Sequence, residues 1–149
     1  MSTFRAERSE RSQAFIVALP LRDAFKLFEP EGERRWAEGW NPVYVYPADG
    51  RTEAGMVFTT SHGNADSVWT LVRHEPQAGL VEYVRVAHGS DIGRVLVQCT
   101  ALEPARTRVN VIYVLTGLSE KGNQKVLAHA AHYEEYINSW AADIEKAIK

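Results

Sequence analysis

The sequence predicts an α+β domain: a seven-stranded curved antiparallel sheet wrapped around a long C-terminal helix, with two short helices after strand 1. Three observations predict it. From residue 42 to residue 117 nearly every segment is strand-like in residue type, and short turn signals part the segments. Connections that short join antiparallel neighbours, because a parallel crossover needs about a dozen residues or more. Beyond residue 118 the apolar residues recur at steps of three and four, the period of a helix with one buried face.

The first strand is "SQAFIVALP" (12–20), apolar and ended by a proline, and the polar residues 1–11 before it read as a mobile lead-in. "LRDAFKLFEP" (21–30) changes the period. Leu21, Ala24, Phe25 and Phe28 share one face of a short helix, which Pro30 should stop. "EGERRWAEG" reads as a second short helix with Gly39 as its C-terminal cap and a Glu31–Arg35 pair on its wet side. Six strands follow: "PVYVYP", "GMVFTTSH", "DSVWTLVRHE", "GLVEYVRVA", "DIGRVLVQCTALE" and "TRVNVIYVLTGL". The turns between them are "ADGRTEAG", "GNA", "PQAG", "HGS" and "PAR". The closing helix takes Ser119 as N-cap and Glu120 in its first turn. Val126, Ala130, Tyr133, Ile137, Trp140, Ile144 and Ile148 form its apolar stripe, while Gly122 costs it up to about 1 kcal/mol relative to alanine.

The 149 residues fit one domain, expected over 12–149, and folding at this size buries roughly 68–70% of the unfolded chain's surface. With 45% hydrophobic and 24% charged residues, the chain has a globular rather than a disordered composition. A net charge of −2 gives no general pull toward nucleic acid or anionic membranes, and no apolar run reaches the ~20 residues of a membrane helix. The polar N-terminus and the single cysteine, Cys99, lead to the expectation of a reduced, cytoplasmic setting without a disulfide framework.

In this order of elements, from "AFIVALPLRDAFKLF" to "INSWAADIEKAIK", the chain resembles the START-like or SRPBCC superfamily. The segments "GERRW…GW.P" and "LTGLSEKGN" are similar to those of SRPBCC proteins. The superfamily includes pollen-allergen-like (Bet v1-like) proteins, polyketide cyclases and dehydrases, and activators of heat-shock-chaperone ATPases. The resemblance implies a helix-grip fold whose sheet and long helix leave a ligand cavity between them.

Strand phase selects the lining of that cavity. Val95, Val97, Cys99 and Ala101 alternate with polar neighbours, as do Val109, Val111, Tyr113 and Leu115, so these odd positions face inward. Cys99 then reads as a small buried hydrophobe. The strands carrying Trp69 and Tyr83 are ambiguous in phase. Inward placement is favoured because large aromatics bury most area, and it carries Arg85 inward too, where it needs an anionic partner such as Glu82 or a ligand carboxylate. The alternative leaves Arg85 on the solvent face with its stem along the sheet. Trp36 and Trp40 flank the passage from the second short helix into the sheet, either as a wall touching ligand or as covers for the end of the core.

The expected ligand-binding residues are therefore Trp36, Trp40, Tyr44, Phe58, Trp69, Tyr83, Arg85, Tyr113, His129 and Tyr133. No catalytic motif is present: there is no GxSxG elbow, Walker loop, dinucleotide fingerprint or CxxC. His129, His132 and Glu135 lack the HExxH arrangement, so neither a metal nor a cofactor is expected. His62, His74 and His88 sit near strand ends, and nothing in the sequence selects one of them as a base. The leading expectation is a protein that binds a small hydrophobic or amphipathic molecule, without nucleic acid or membrane insertion, and with homodimerisation left open. A polyketide cyclase/dehydrase-like enzyme using Tyr44, Tyr83, Arg85, Tyr113, His129 or Tyr133 for proton handling is the second reading. An interaction module like the chaperone-ATPase activators is the third.

Overall fold

A computed structural model of the chain describes residues 3–62 and 65–149. Seven strands form one antiparallel sheet in the order β1-β7-β6-β5-β4-β3-β2. They are β1 (Arg8–Val17), β2 (Val43–Tyr46), β3 (Val57–His62), β4 (Ala65–Glu75), β5 (Leu80–Ala87), β6 (Asp91–Glu103) and β7 (Arg106–Gly117). The six later strands follow the sequence expectation closely, and a 3₁₀ turn at Pro76–Ala78 makes the "PQAG" connection. The expected "GNA" turn lies outside the described residues. β1 starts earlier than its apolar residues suggest: Arg8–Arg11 pair with Thr116–Tyr113 although their side chains are mostly exposed. Just before it, Asn123 ties down the backbone, accepting from Glu7 N and donating to Arg5 O.

Between β1 and β2 lie α1 (Leu21–Lys26) and α2 (Pro30–Glu33). Pro30 opens α2 at its first position rather than only ending α1, since a missing N–H is harmless there. α2 is one turn long, and residues 34–36 continue as turns. Gly39 does take the left-handed conformation, φ 79°, but beyond those turns rather than directly after the helix. Glu31 pairs with Arg34 at 2.7 Å instead of with Arg35.

The C-terminal helical region breaks once, at His132, into α3 (Glu120–Ala131) and α4 (Tyr133–Ala147). Ser119 caps α3 as expected, accepting from Gly122 N at 3.0 Å. Gly122 is no mere weakness in that helix. A Cβ there would fall 1.6 Å from Ser90 O, so glycine lets α3 lie against the β5–β6 turn. Val126, Tyr133, Ile137, Trp140 and Ile144 are buried, and the two helices pack on β1, β6 and β7. No helix among the described residues is long and apolar enough to cross a membrane.

Inward-facing residues of β6 and β7 follow the expected alternation. Val95, Val97, Cys99, Val109, Val111, Tyr113 and Leu115 are all buried, while Ala101, beside the register shift near the end of β6, is exposed. A bulge at Val72 resets the phase of β4, so that Leu71 pairs with Tyr83 but Arg73 pairs with Glu82 and His74 with Val81. Arg73 is thereby sent to the outer face, and His74 turns inward against Phe25 and the carboxylate of Glu29.

Candidate functional site

The pairing register lays the inward side chains out in rungs across the sheet. One rung runs Tyr44, Phe58, Trp69, Arg85, Gly93, Leu115, from β2 to β7. The next runs Leu71, Tyr83, Val95, Tyr113. Aromatic rings thus meet without being near in sequence. Phe58 and Trp69 stack at 5.7 Å, and Trp40 and Tyr83 each stand edge-on to both. The polar tips of these rings are satisfied by protein: Trp69 Nε1 donates to Thr60 Oγ1, Trp40 Nε1 to Pro30 O, and the Tyr83 hydroxyl to Phe28 O. Tyr44 closes the edge of this cluster, its hydroxyl donating to the Glu31 carboxylate. Burial, then that carboxylate, pushes the Tyr44 phenol up to about 12.

Arg85 faces inward, its Cζ 6.0 Å from the centre of the Trp69 ring. Its partner is Asp91, at 2.5 Å, and not Glu82. Glu82, one residue from Tyr83, points to the outer face and binds Arg94 at 2.6 Å and Arg73 at 3.7 Å. Gly93 lies opposite Arg85 on β6, and a Cβ there would come within 2.7 Å of Leu115 Cδ2 and 3.5 Å of Arg85 Nη2. Glycine therefore leaves the guanidinium its route to Asp91.

A second aromatic group surrounds His129 of α3. The rings of Tyr113, Tyr136 and Tyr133 lie 4.8, 5.2 and 5.4 Å from the imidazole centre. The Tyr133 hydroxyl donates to Val111 O, and those of Tyr113 and Tyr136 stand 3.3 Å apart. Both ring nitrogens of His129 are buried without a hydrogen-bond partner among the described residues. Burial, then the Arg85 charge, lowers its pKa, with Asp91 opposing, so the imidazole is held neutral. Burial, then the neighbouring Tyr136 and Glu33, pushes the Tyr113 phenol well up.

Glu33 was invisible among the charges of "EGERRW". Pro30, Glu33, Trp36 and Ala37 recur at helical spacing and are buried or half-buried, whereas Glu31, Arg34, Arg35 and Glu38 are exposed, so Glu33 lies on the inner side of this segment. It stands close enough to the buried phenols of Tyr83 and Tyr113, on β5 and β7, to push both up. Burial alone drives the Glu33 carboxyl well above the usual carboxylate range, with no hydrogen bond or charge among the described residues to offset it.

Of the ten residues expected at the site, nine fall into these two aromatic groups and the Arg85 bridge between them. Trp36 stands apart. It is 8% exposed, donates to Leu27 O, and packs on Phe28 and Trp140, as a cover for the core. Cys99 is buried, which pushes its thiol up to about 12 and leaves it unreactive. His88 is exposed, and nothing is described of the His62 side chain. His132 faces Glu135 at the surface, away from His129, and no group of three metal-ligating side chains converges among the described residues. Two grooves open on the outside. One, of 440 Å³, runs between Leu21, Phe25 and Pro76. The other, of 350 Å³, runs between Trp36, Asp143 and Lys146.

No family model and no curated protein sequence matches the chain. Solved structures do resemble it. Norcoclaurine synthase from Thalictrum flavum, in complex with dopamine and hydroxybenzaldehyde, is 9% identical with TM-score 0.68, covering 99% of this chain and 94% of its own. The aromatase/cyclase Zhui from Streptomyces sp. R1128 is 10% identical with TM-score 0.66, covering 96% and 97%. Ara h 8.0201 is 8% identical with TM-score 0.69, covering 95% and 99%. At such identities the likeness is one of fold.

Proposed function

Because the chain carries the Bet v1-like helix-grip fold of the START-like superfamily, we propose that it binds a small hydrophobic or amphipathic molecule between the sheet and the C-terminal helices. The observation that carries this reading is the composition of the inward face. Aromatic rings form its walls, and among them His129 keeps two polar atoms that no group among the described residues satisfies. Buried polar atoms are almost always paired, so a partnerless pair of nitrogens marks a place where a second molecule gains from binding. A ligand reaches His129 by displacing the ring of Tyr136, which is 40% exposed. The chemistry of such a site suits a molecule with an apolar, ring-bearing body and few polar atoms. One fold-mate holds dopamine and hydroxybenzaldehyde, molecules of that kind.

The test is a thermal-shift screen of the purified protein against fatty acids, aromatic polyketide-like compounds and sterols, with native mass spectrometry to identify any bound molecule. A melting temperature raised by one chemical class, scaling with ligand concentration, supports the reading. No shift with any class contradicts it.

A second reading, an enzyme of the cyclase/dehydrase type, is favoured by one further observation. His129 feels both Arg85 and Asp91, and Tyr113 feels Arg85 and Glu33, so several ionisable groups converge on one interior. A neutral imidazole is competent to take a proton from a bound substrate, and the Arg85 guanidinium to stabilise an oxyanion. Turnover of a bound compound that disappears in His129→Gln while binding persists supports this reading; unchanged turnover in that variant removes His129 from the chemistry.

A further inference from the structure

Tyr136 shows what the space beside His129 accepts. Its ring stands edge-on to those of His129, Tyr113 and Trp140 at 5.2, 5.9 and 5.6 Å, so three rings box in one phenol. The polar end of that phenol fits poorly. Its hydroxyl lies 3.3 Å from that of Tyr113, beyond the about 2.7–2.8 Å usual for O–H···O. It makes no hydrogen bond to His129, whose two nitrogens are buried without a partner among the described residues. Tyr136 is also 40% exposed, so one side of its ring already faces solvent. We propose that Tyr113, His129 and Trp140 form a phenol-binding subsite. An uncharged aromatic ligand replaces the Tyr136 ring there, and its hydroxyl donates to the bare nitrogen of His129 while accepting from the Tyr113 hydroxyl. The inference rests on the ligand-binding reading above and names the chemistry of the ligand.

The site selects a hydroxyl on two grounds. A neutral imidazole has one bare nitrogen, which only a donor satisfies, so a ketone or ether oxygen leaves it orphaned. A hydroxyl gives to that nitrogen and takes from Tyr113 through a single atom. Burial keeps both partners in the forms this needs, the imidazole neutral and the Tyr113 phenol protonated.

Free charge for an anion is missing as well. Arg85 is held by Asp91 at 2.5 Å. Arg11, opposite Tyr113 on β1, is exposed and donates to Glu10 O. A carboxylate in the box would lose water without gaining a counter-ion, and a cation would meet the Arg85 charge.

The experiment is calorimetric titration near neutral pH with three probes that share one ring system: 2-naphthol, 2-methoxynaphthalene and 2-naphthoate. The proteins are the wild type, Tyr136→Ala and His129→Phe, each shown to be folded by circular dichroism. In the wild type we expect 2-naphthol to bind about tenfold or more tighter than the ether, and the naphthoate to bind most weakly. Tyr136→Ala, which has no ring to displace, should bind 2-naphthol more tightly than the wild type and keep the preference. His129→Phe should lose most of the preference while still binding the ether. Equal binding of 2-naphthol and the ether by the wild type, a full preference in His129→Phe, or tightest binding of the naphthoate overturns the hydroxyl anchor and leaves the pocket standing. Binding by Tyr136→Ala but not by the wild type overturns the subsite, with Tyr136 its permanent occupant. No binding by the wild type or by Tyr136→Ala overturns the pocket itself, and the anchor with it.

Discussion

Replacing His129 should make the protein more stable, and the size of the gain follows from its surroundings. A neutral imidazole carries one donor and one acceptor, and both nitrogens here are buried without partners among the described residues. Each orphaned group costs about 1–3 kcal/mol. His129→Phe removes both while keeping a ring against Tyr113, Tyr133 and Tyr136, and His129→Leu does so with a side chain that cannot overfill the space. We expect a net gain of about 1–2 kcal/mol for the better of the two, or about 2–4 °C in Tm per kcal/mol, measured by urea and thermal unfolding. The wild type should also show a pH dependence that both variants lack. Its folded imidazole titrates below 6.5, so on acidification the unfolded chain binds a proton that the folded one refuses, and stability falls as pH falls below about 6.5. The slope of that component is at most about 1.4 kcal/mol per pH unit, and the other histidines cancel in the difference between proteins. Both variants being less stable than the wild type, with an unchanged pH slope, would refute the reasoning, because it would mean that the nitrogens are partnered.

Trp36→Ala should cost about 3–5 kcal/mol in chemical denaturation, the price of a core tryptophan; a loss under about 1 kcal/mol would place the ring at a dispensable rim. Asp91→Asn strands Arg85 beside Trp69 and should destabilise by about 2–3 kcal/mol. That is less than for a fully buried pair, because the Arg85 side chain is 18% exposed, and Arg85→Met in the same protein should recover part of the loss. Gly122→Ala should destabilise by about 1–3 kcal/mol despite alanine's higher helix propensity, because its Cβ meets the Ser90 carbonyl; a gain in Tm would show that α3 can shift away from that turn.

Where burial repeats with the period of an element, residue type reveals it. The alternation in "GRVLVQC" and "TRVNVIYVL" placed Val95 to Cys99 and Val109 to Leu115 on the inner face, and the stripe from Val126 to Ile144 marked the helical side that packs on the sheet. Local breaks in periodicity left no such trace. The bulge at Val72 is an extra residue among equally strand-like ones, and it alone sends Arg73 out and His74 in. The break at His132, where φ is −114°, falls between Ala131 and Tyr133, and no glycine or proline marks it. Pro30 carries the same signal whether it ends one helix or starts the next.

The candidate site divides in the same way. Its aromatic walls were legible because ring size makes burial the only cheap outcome. Its polar members depended on partners distant in sequence or on position alone. Arg85 found Asp91 across a turn, where Glu82 had seemed nearer, and that choice depends on which face each strand residue takes. Glu33 sits in "EGERRW" among residues of the same chemistry, and only the face it occupies distinguishes it from Glu31.

The most direct test of the interior site is the response of the tryptophan indole N–H signals in ¹H–¹⁵N NMR spectra on titration with the compound that most raises the melting temperature. The chain has four tryptophans, assignable by single substitution. The account predicts that Trp69 and Trp40, at the aromatic wall beside Arg85 and Tyr83, shift most, together with the Tyr113 and His129 ring signals. Perturbations confined to the outer groove at Leu21, Phe25 and Pro76, with Trp40, Trp69 and His129 unmoved, would contradict it.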